Sequence, residues 1–150
     1  MSKTLWADVL ERLNKHSHMG LVDRSSQRVA LTAEHFTPSE LVVEVLQGVP
    51  LEDLAAGQTV LDPACGDGQF LVAVKWVKVL AHGMTPSQAV RDLYGIDLMR
   101  DNVDLCLERL GGGTILVGDA LSPRRRVEGQ SEAEYQQLCA LLEPSDLALF

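Results

Sequence analysis

At 150 residues the chain is long enough for one domain with a core of its own. Its 46% hydrophobic and 23% charged residues are an ordinary balance for a soluble globular protein, with no repeats and no low-complexity tracts. The net charge of −8 argues against a stand-alone nucleic-acid binder, which carries a basic footprint.

The charge is unevenly placed. Residues 1–33 hold five Lys/Arg against three Asp/Glu, whereas the remainder holds eight against eighteen. The only basic run, Arg124-Arg125-Arg126, reads as solvated surface, with phosphate contact as the alternative. No apolar run reaches membrane-spanning length, and the N-terminus lacks the apolar stretch of a signal peptide. Cys65, Cys106 and Cys139 are odd in number and lack metal-type pairing, so they read as reduced thiols of a cytoplasmic protein.

Residues 4–15 read as an amphipathic helix with Leu5, Trp6, Val9, Leu10 and Leu13 along its apolar stripe. His16 and His18 follow it without a third ligand nearby. They read as a frayed helix end, and no metal site is expected. Residues 19–34 are mostly polar and read as loop. The chain thus divides into an N-terminal helix and loop, 1–33, and a second unit, 34–150.

In that unit Thr37 reads as an N-cap, Pro38 as the first helical residue and Glu40 as the capping-box partner. Leu41, Val42, Val45 and Leu46 would form the apolar face, and Gly48 and Pro50 the stop. A strand over Thr59–Leu61 runs into a two-glycine turn. A helix to His82 then places Phe70, Leu71, Val74, Val77 and Leu80 on one face. Thr85-Pro86-Ser87 opens a short helix to Leu93. A strand over 94–97, a helix over 101–110, three glycines and a strand over 114–118 follow, then a loop over 119–130. Ser131 and Glu134 form a capping box for a helix through Leu142, with Tyr135, Leu138, Cys139 and Leu142 on one face. Pro144 breaks it, and Asp146–Phe150 reads as a fourth strand. This alternation predicts an α/β fold: a Rossmann-like parallel sheet with flanking helices, preceded by the N-terminal helix.

The strand–turn–helix Asp62-Pro63-Ala64-Cys65-Gly66-Asp67-Gly68-Gln69-Phe70-Leu71 carries the chemistry. Gly66 and Gly68 let a ligand approach the backbone, and the N–H groups of the first helical turn face it. A nicotinamide fingerprint needs a small residue where Leu71 stands, and a pyrophosphate would meet Asp62 at the strand end. A carboxylate there suits a cationic or hydroxyl-bearing ligand, and the Gly-Lys-Ser/Thr of a P-loop does not occur.

These ten residues resemble the first motif of class I S-adenosylmethionine (SAM) methyltransferases. More narrowly, they resemble the DNA adenine-N6 methylases of restriction–modification systems, whose form is Asp-Pro-Ala-Cys-Gly-x-Gly-x-Phe-Leu. The resemblance implies SAM as cofactor, held by Asp62, Pro63, Ala64, Cys65, Gly66, Gly68 and Phe70. It makes Phe36, Thr37 and Pro38 the contact to the methionine carboxylate, which a helix N-terminus suits physically. Asp97, with Leu98 beside it, would bind the ribose hydroxyls. Asp119, with Ala120 beside it, would accept from the adenine amino group. Each acid also has a plainer reading, as a residue that caps or closes a strand end.

The resemblance further implies an Asn/Asp/Ser-Pro-Pro-Tyr/Phe tetrapeptide after the fourth strand. It would hold the target amine toward the methyl and stack on the flipped base. No Pro-Pro occurs in the 150 residues, so the catalytic residues are unknown. Three functions stay open: a methyltransferase subunit or fragment, a SAM-cleaving enzyme, and a non-catalytic SAM-binding module. A second chain or a second copy is expected to cover the sheet edge near 146–150. DNA would be met weakly or through that partner.

Overall fold

The structure, a computed structural model, describes residues 3–15 and 37–143. Phe36, His16, His18, the expected 19–34 loop and the expected 146–150 strand lie outside the described residues.

Three parallel strands stand in the order β1 (Val60–Asp62), β2 (Leu93–Asp97), β3 (Thr114–Val117). Val60 pairs with Leu93 and Asp62 with Gly95, while Tyr94 pairs with Thr114 and Asp97 with Val117. The helices are α1 (Lys3–Lys15), α2 (Ser39–Gln47), α3 (Gln69–His82), α4 (Pro86–Val90), α5 (Arg100–Leu110) and α6 (Glu132–Leu142), with a 3-10 turn at Leu51–Leu54. This is the expected parallel α/β arrangement with its N-terminal helix. Helix α4 stops at Val90, short of the expected Leu93, because Leu93 is already paired in the sheet.

Helix α3 is the centre of the molecule. The spacing of its apolar residues suggests one buried face, but every residue from Leu71 to Lys78 is buried. Helices α1, α2, α4 and α5 and strands β1 and β2 all pack on it. The stripe of α1 docks there through Leu5, Val9 and Leu13, and Arg12 stacks 4.4 Å from the Trp76 ring centre. Two lysines of α3 are buried with it and spend their donors on backbone. Lys75 Nζ reaches the carbonyl of Leu110 at the end of α5, at 2.8 Å. Lys78 Nζ reaches the carbonyls of Ala55 and Gln58 and the carboxylate of Asp92, at 2.7, 2.9 and 3.0 Å.

The start of α2 departs from the capping box expected at Thr37. Pro38 is itself the N-cap, with an extended ψ of 147°, and no side chain caps the helix. Its carbonyl, not that of Thr37, accepts the first helical bonds, from Leu41 and Val42. One residue of displacement turns the helix as well. Val42, Val43 and Leu46 are buried, whereas Leu41 and Val45 of the expected apolar face are exposed.

Helix α6 is held on the far side of the sheet. Its capping box is the expected one, Ser131 with Glu134. Leu138 fills a second small core with Ile96 and Leu116. Glu134 does more than cap: it takes a two-pronged bond from Arg100 at 2.7 and 3.0 Å and the edge-strand N–H of Val117 at 3.1 Å. Burial raises the Glu134 carboxyl, but Arg100 and the N–H groups of Ser131 and Val117 outweigh it and hold it below the ordinary glutamate value. A depressed carboxyl stabilises the fold above its unfolded value, and that contribution is lost as pH falls through the folded one. Glu134→Gln is therefore expected to cost about 2 kcal/mol at neutral pH, a charge-assisted bond discounted for the half-open Arg100. The difference from wild type should vanish in acid. An equal cost at both pH values in urea titrations counts against this account.

Candidate functional site

The sheet ends in a row of three acids. Asp62, Asp97 and Asp119 close or follow β1, β2 and β3 at the carboxyl edge, where parallel sheets take ligands. The loop between β1 and α3 is bound to that edge. Cys65 N–H donates to the Ile96 carbonyl at 2.9 Å, and Gly66 N–H donates to Asp97 Oδ2 at 2.9 Å. Gly66 and Gly68 have φ of 56° and 94°, so both sit in the left-handed region that glycine permits. At Gly95 of β2 a Cβ would stand 3.0 Å from Cys65 Sγ and 2.9 Å from Leu71 Cδ1, so the bare backbone of β2 is what lets the loop lie down.

A cavity of about 120 Å3 opens beside this loop, lined by Thr37, Asp62, Ala64, Cys65, Gly66, Asp67, Gln69 and Phe70. Six of these residues were expected from sequence, and Asp97 joins them through its bond to Gly66. Pro38, Pro63, Gly68, Leu98, Asp119 and Ala120 do not line it. Pro38 and Leu98 are exposed at neighbouring turns, and Gly68 is the buried N-cap of α3. Asp67 and Gln69 escaped the sequence reading because they fill the two open positions of the motif.

The three acids are not alike. Asp62 Oδ1 accepts the Ala64 N–H at 3.1 Å, and burial, with Asp97 adding to it, raises its carboxyl above the ordinary aspartate value. Asp97 accepts Gly66 N–H on one oxygen and Met99 N–H and Asn102 Nδ2 on the other, at 2.9, 2.9 and 3.1 Å. It therefore braces two loops before any ligand arrives. Asp119 accepts Leu121 N–H and a fork from Arg125, at 2.9 to 3.1 Å. Arg125 foremost holds its carboxyl below the usual range.

The Cys106 thiol, and then burial, push the Cys65 thiol well above the ordinary value, so Cys65 stays protonated and is no nucleophile. Among the described residues, no group of three or more His, Cys, Asp or Glu is placed to hold a metal ion. No helix among them is long and apolar enough to cross a membrane.

The basic triplet is internally matched. Arg124 pairs with Glu143, Arg125 with Asp119 and Arg126 with Glu132, and Arg126 stacks 3.9 Å from the centre of the Tyr135 ring.

A family model described as N-6 DNA methylase matches residues 21–110, from before α2 to the end of α5. No curated protein and no solved structure matches the chain.

Proposed function

The chain belongs to the N-6 DNA methylase family, and from that premise we propose that it holds S-adenosylmethionine against the carboxyl edge of its sheet. It would serve methyl transfer to an adenine amine of DNA as one part of a larger enzyme. The observation that carries this reading is the glycine loop braced on Asp97, with Asp62 raised by burial in the cavity beside it.

The donor set suits such a ligand in kind. A cavity of about 120 Å3 is smaller than a whole ligand site of roughly 300 Å3 or more, so it would take one end of the cofactor. That end would be the amino-acid moiety: Asp62 would accept from its ammonium group, and Thr37 and Pro38 at the start of α2 would meet its carboxylate, with Phe36 of the same motif outside the described residues. Asp97 has lone-pair capacity left for a ribose hydroxyl. Asp119 would share its carboxylate between Arg125 and the adenine amino group. When bound, the cofactor supplies a methyl group already activated by its sulfonium centre.

The chain's own residues would bind and orient, without moving a proton. An adenine amine is a poor nucleophile, because its lone pair is delocalised into the ring. It must be gripped by acceptors and stacked on an aromatic ring. Residues 1–150 contain no Pro-Pro dipeptide to serve that grip, so it would come from polypeptide beyond these residues, in the same chain or another. Among the described residues β1 stands at the edge of the sheet with Leu61 41% exposed, and that edge is the proposed place for it.

The test uses labelled SAM with the purified full chain, with and without DNA, and resolves the products. The chain alone is expected to retain SAM unchanged. S-adenosylhomocysteine should accumulate only when DNA and a polypeptide carrying Asn/Asp/Ser-Pro-Pro-Tyr/Phe are both present. Methylthioadenosine without DNA would instead mark a SAM-cleaving enzyme. Failure to retain SAM at all would remove the reading.

A further inference from the structure

We propose that Arg109, at the end of α5, is a positioning residue for the cavity. It sets the side chain of Gln69 and, through it, the backbone of Thr37 on the opposite wall. Its effect on ligand binding rests on the SAM reading, whereas the relay itself does not.

The relay is a chain of three buried side chains. The Arg109 side chain is 0% exposed and that of Asp67 is 2%. Arg109 Nη1 donates to the Asp67 carbonyl at 3.0 Å and lies 3.3 Å from Asp67 Oδ1. Its Nη2 donates to Gln69 Oε1 at 2.7 Å. Gln69 Nε2 in turn donates to the Thr37 carbonyl at 2.9 Å and to Ser39 Oγ at 3.3 Å.

A guanidinium can only donate, so the Gln69 amide must present its oxygen to Arg109. That choice leaves the amide nitrogen facing Thr37. The direction of the second link is thus imposed by the first. At the receiving end the amide nitrogen spans two acceptors, the Thr37 carbonyl and Ser39 Oγ, on either side of the Pro38 N-cap.

A purely structural role would not require a cation at this place. Burial pulls the Arg109 guanidinium down from its ordinary value, and Asp67 opposes it. An apolar residue of like volume is often as stable as a buried ion pair. The other buried residues of α5, Val103, Leu105, Cys106 and Leu110, are apolar or nearly so, apart from Asn102, which is spent on Asp97. The fork joins Asp67 of the glycine loop to Gln69, whose amide reaches the start of α2. Asp67 and Gln69, the two open positions of the motif, are thereby both turned to one helix.

Three variants test this: Arg109→Met, Arg109→Lys and Gln69→Glu. The last keeps an acceptor for Arg109 but offers no donor to Thr37. The first readout is amide hydrogen exchange at Leu41 and Val42, whose N–H groups bond the Pro38 carbonyl at 3.1 Å and never touch Arg109. The second is S-adenosylhomocysteine binding by calorimetry, with the melting temperature as a control. Exchange at both amides is expected to accelerate in all three variants, since a lysine cannot reproduce the fork. Affinity should fall about tenfold, with melting nearly unchanged in Gln69→Glu.

Unchanged exchange in Gln69→Glu overturns the relay, and full rescue by Arg109→Lys overturns the fork as its source, since one ammonium donor to Gln69 Oε1 would then suffice. Faster exchange with undiminished affinity overturns the positioning role. Faster exchange in a protein whose wild type binds no S-adenosylhomocysteine supports the relay and removes the SAM reading. If Arg109→Met does not fold, Gln69→Glu decides alone.

Discussion

Lys78→Ala is expected to destabilise the fold by about 3–5 kcal/mol, the usual cost of removing one partner from a buried ion pair. The side chain is 0% exposed in the middle of α3, and its three donors meet three acceptors. Alanine would leave the Ala55 and Gln58 carbonyls without their donor and open a cavity along the lysine stem. Asp92 keeps the Gly57 N–H at 3.3 Å, so the loss falls hardest on the two carbonyls that close the turn before β1. Lys78→Met, which fills the stem's volume, should lose clearly less than alanine. Urea unfolding reads both as a lowered midpoint at constant slope. A loss under about 1 kcal/mol for alanine would mean that water replaces the ammonium group, and this account would be wrong.

Asp62→Asn is expected to weaken cofactor binding about 10- to 100-fold while leaving the fold as stable or more so. The two effects have one cause. Burial raises the Asp62 carboxyl, so the folded state keeps a proton over a range where the unfolded chain has lost it. Its contribution to stability is therefore greatest below the ordinary aspartate value and declines as pH rises through the raised one. At neutral pH the ionised side chain opposes folding, and a neutral amide relieves it. Such a cost to the fold is what a carboxylate kept for a cationic ligand would carry. Melting temperatures from the carboxylate range to neutrality should fall with pH more steeply in wild type than in Asp62→Asn. Calorimetry with S-adenosylhomocysteine gives the affinity. A variant that is less stable at neutral pH and binds unchanged would make Asp62 a structural residue.

Much of this was legible in the residues, for identifiable reasons. The β1–loop–α3 unit shows itself because an apolar strand, two glycines and a long apolar helix are each strong local signals. The capping box at Ser131 is local too and is present, as is the helix start at Thr85, to which the structure adds a capping box with Gln88. The start of α2 misleads because Thr-Pro-Ser-Glu satisfies the capping pattern at Thr37, while Pro38 takes an extended backbone and shifts the helix by one residue.

Tertiary pairing was the least visible. Lys75, Lys78 and Arg109 carry no local signal of burial, and only the carbonyls and carboxylates that fold around them make it tolerable. Within the site, the residue types foretold the acids but not their engagement. Nothing in Gly-Ile-Asp announces that Asp97 would accept the Gly66 N–H from a loop 31 residues earlier.

The matched triplet of Arg124, Arg125 and Arg126 has a consequence for encounters with a polyanion. An arginine handed to a phosphate leaves behind the carboxylate it had neutralised, on the same face. The exchange swaps one anion for another and frees few condensed counter-ions from the duplex, the main source of sequence-independent affinity. Duplex association with this chain alone should therefore be weak and nearly flat in salt. A steep salt slope in an assembled enzyme would point to basic groups on another component.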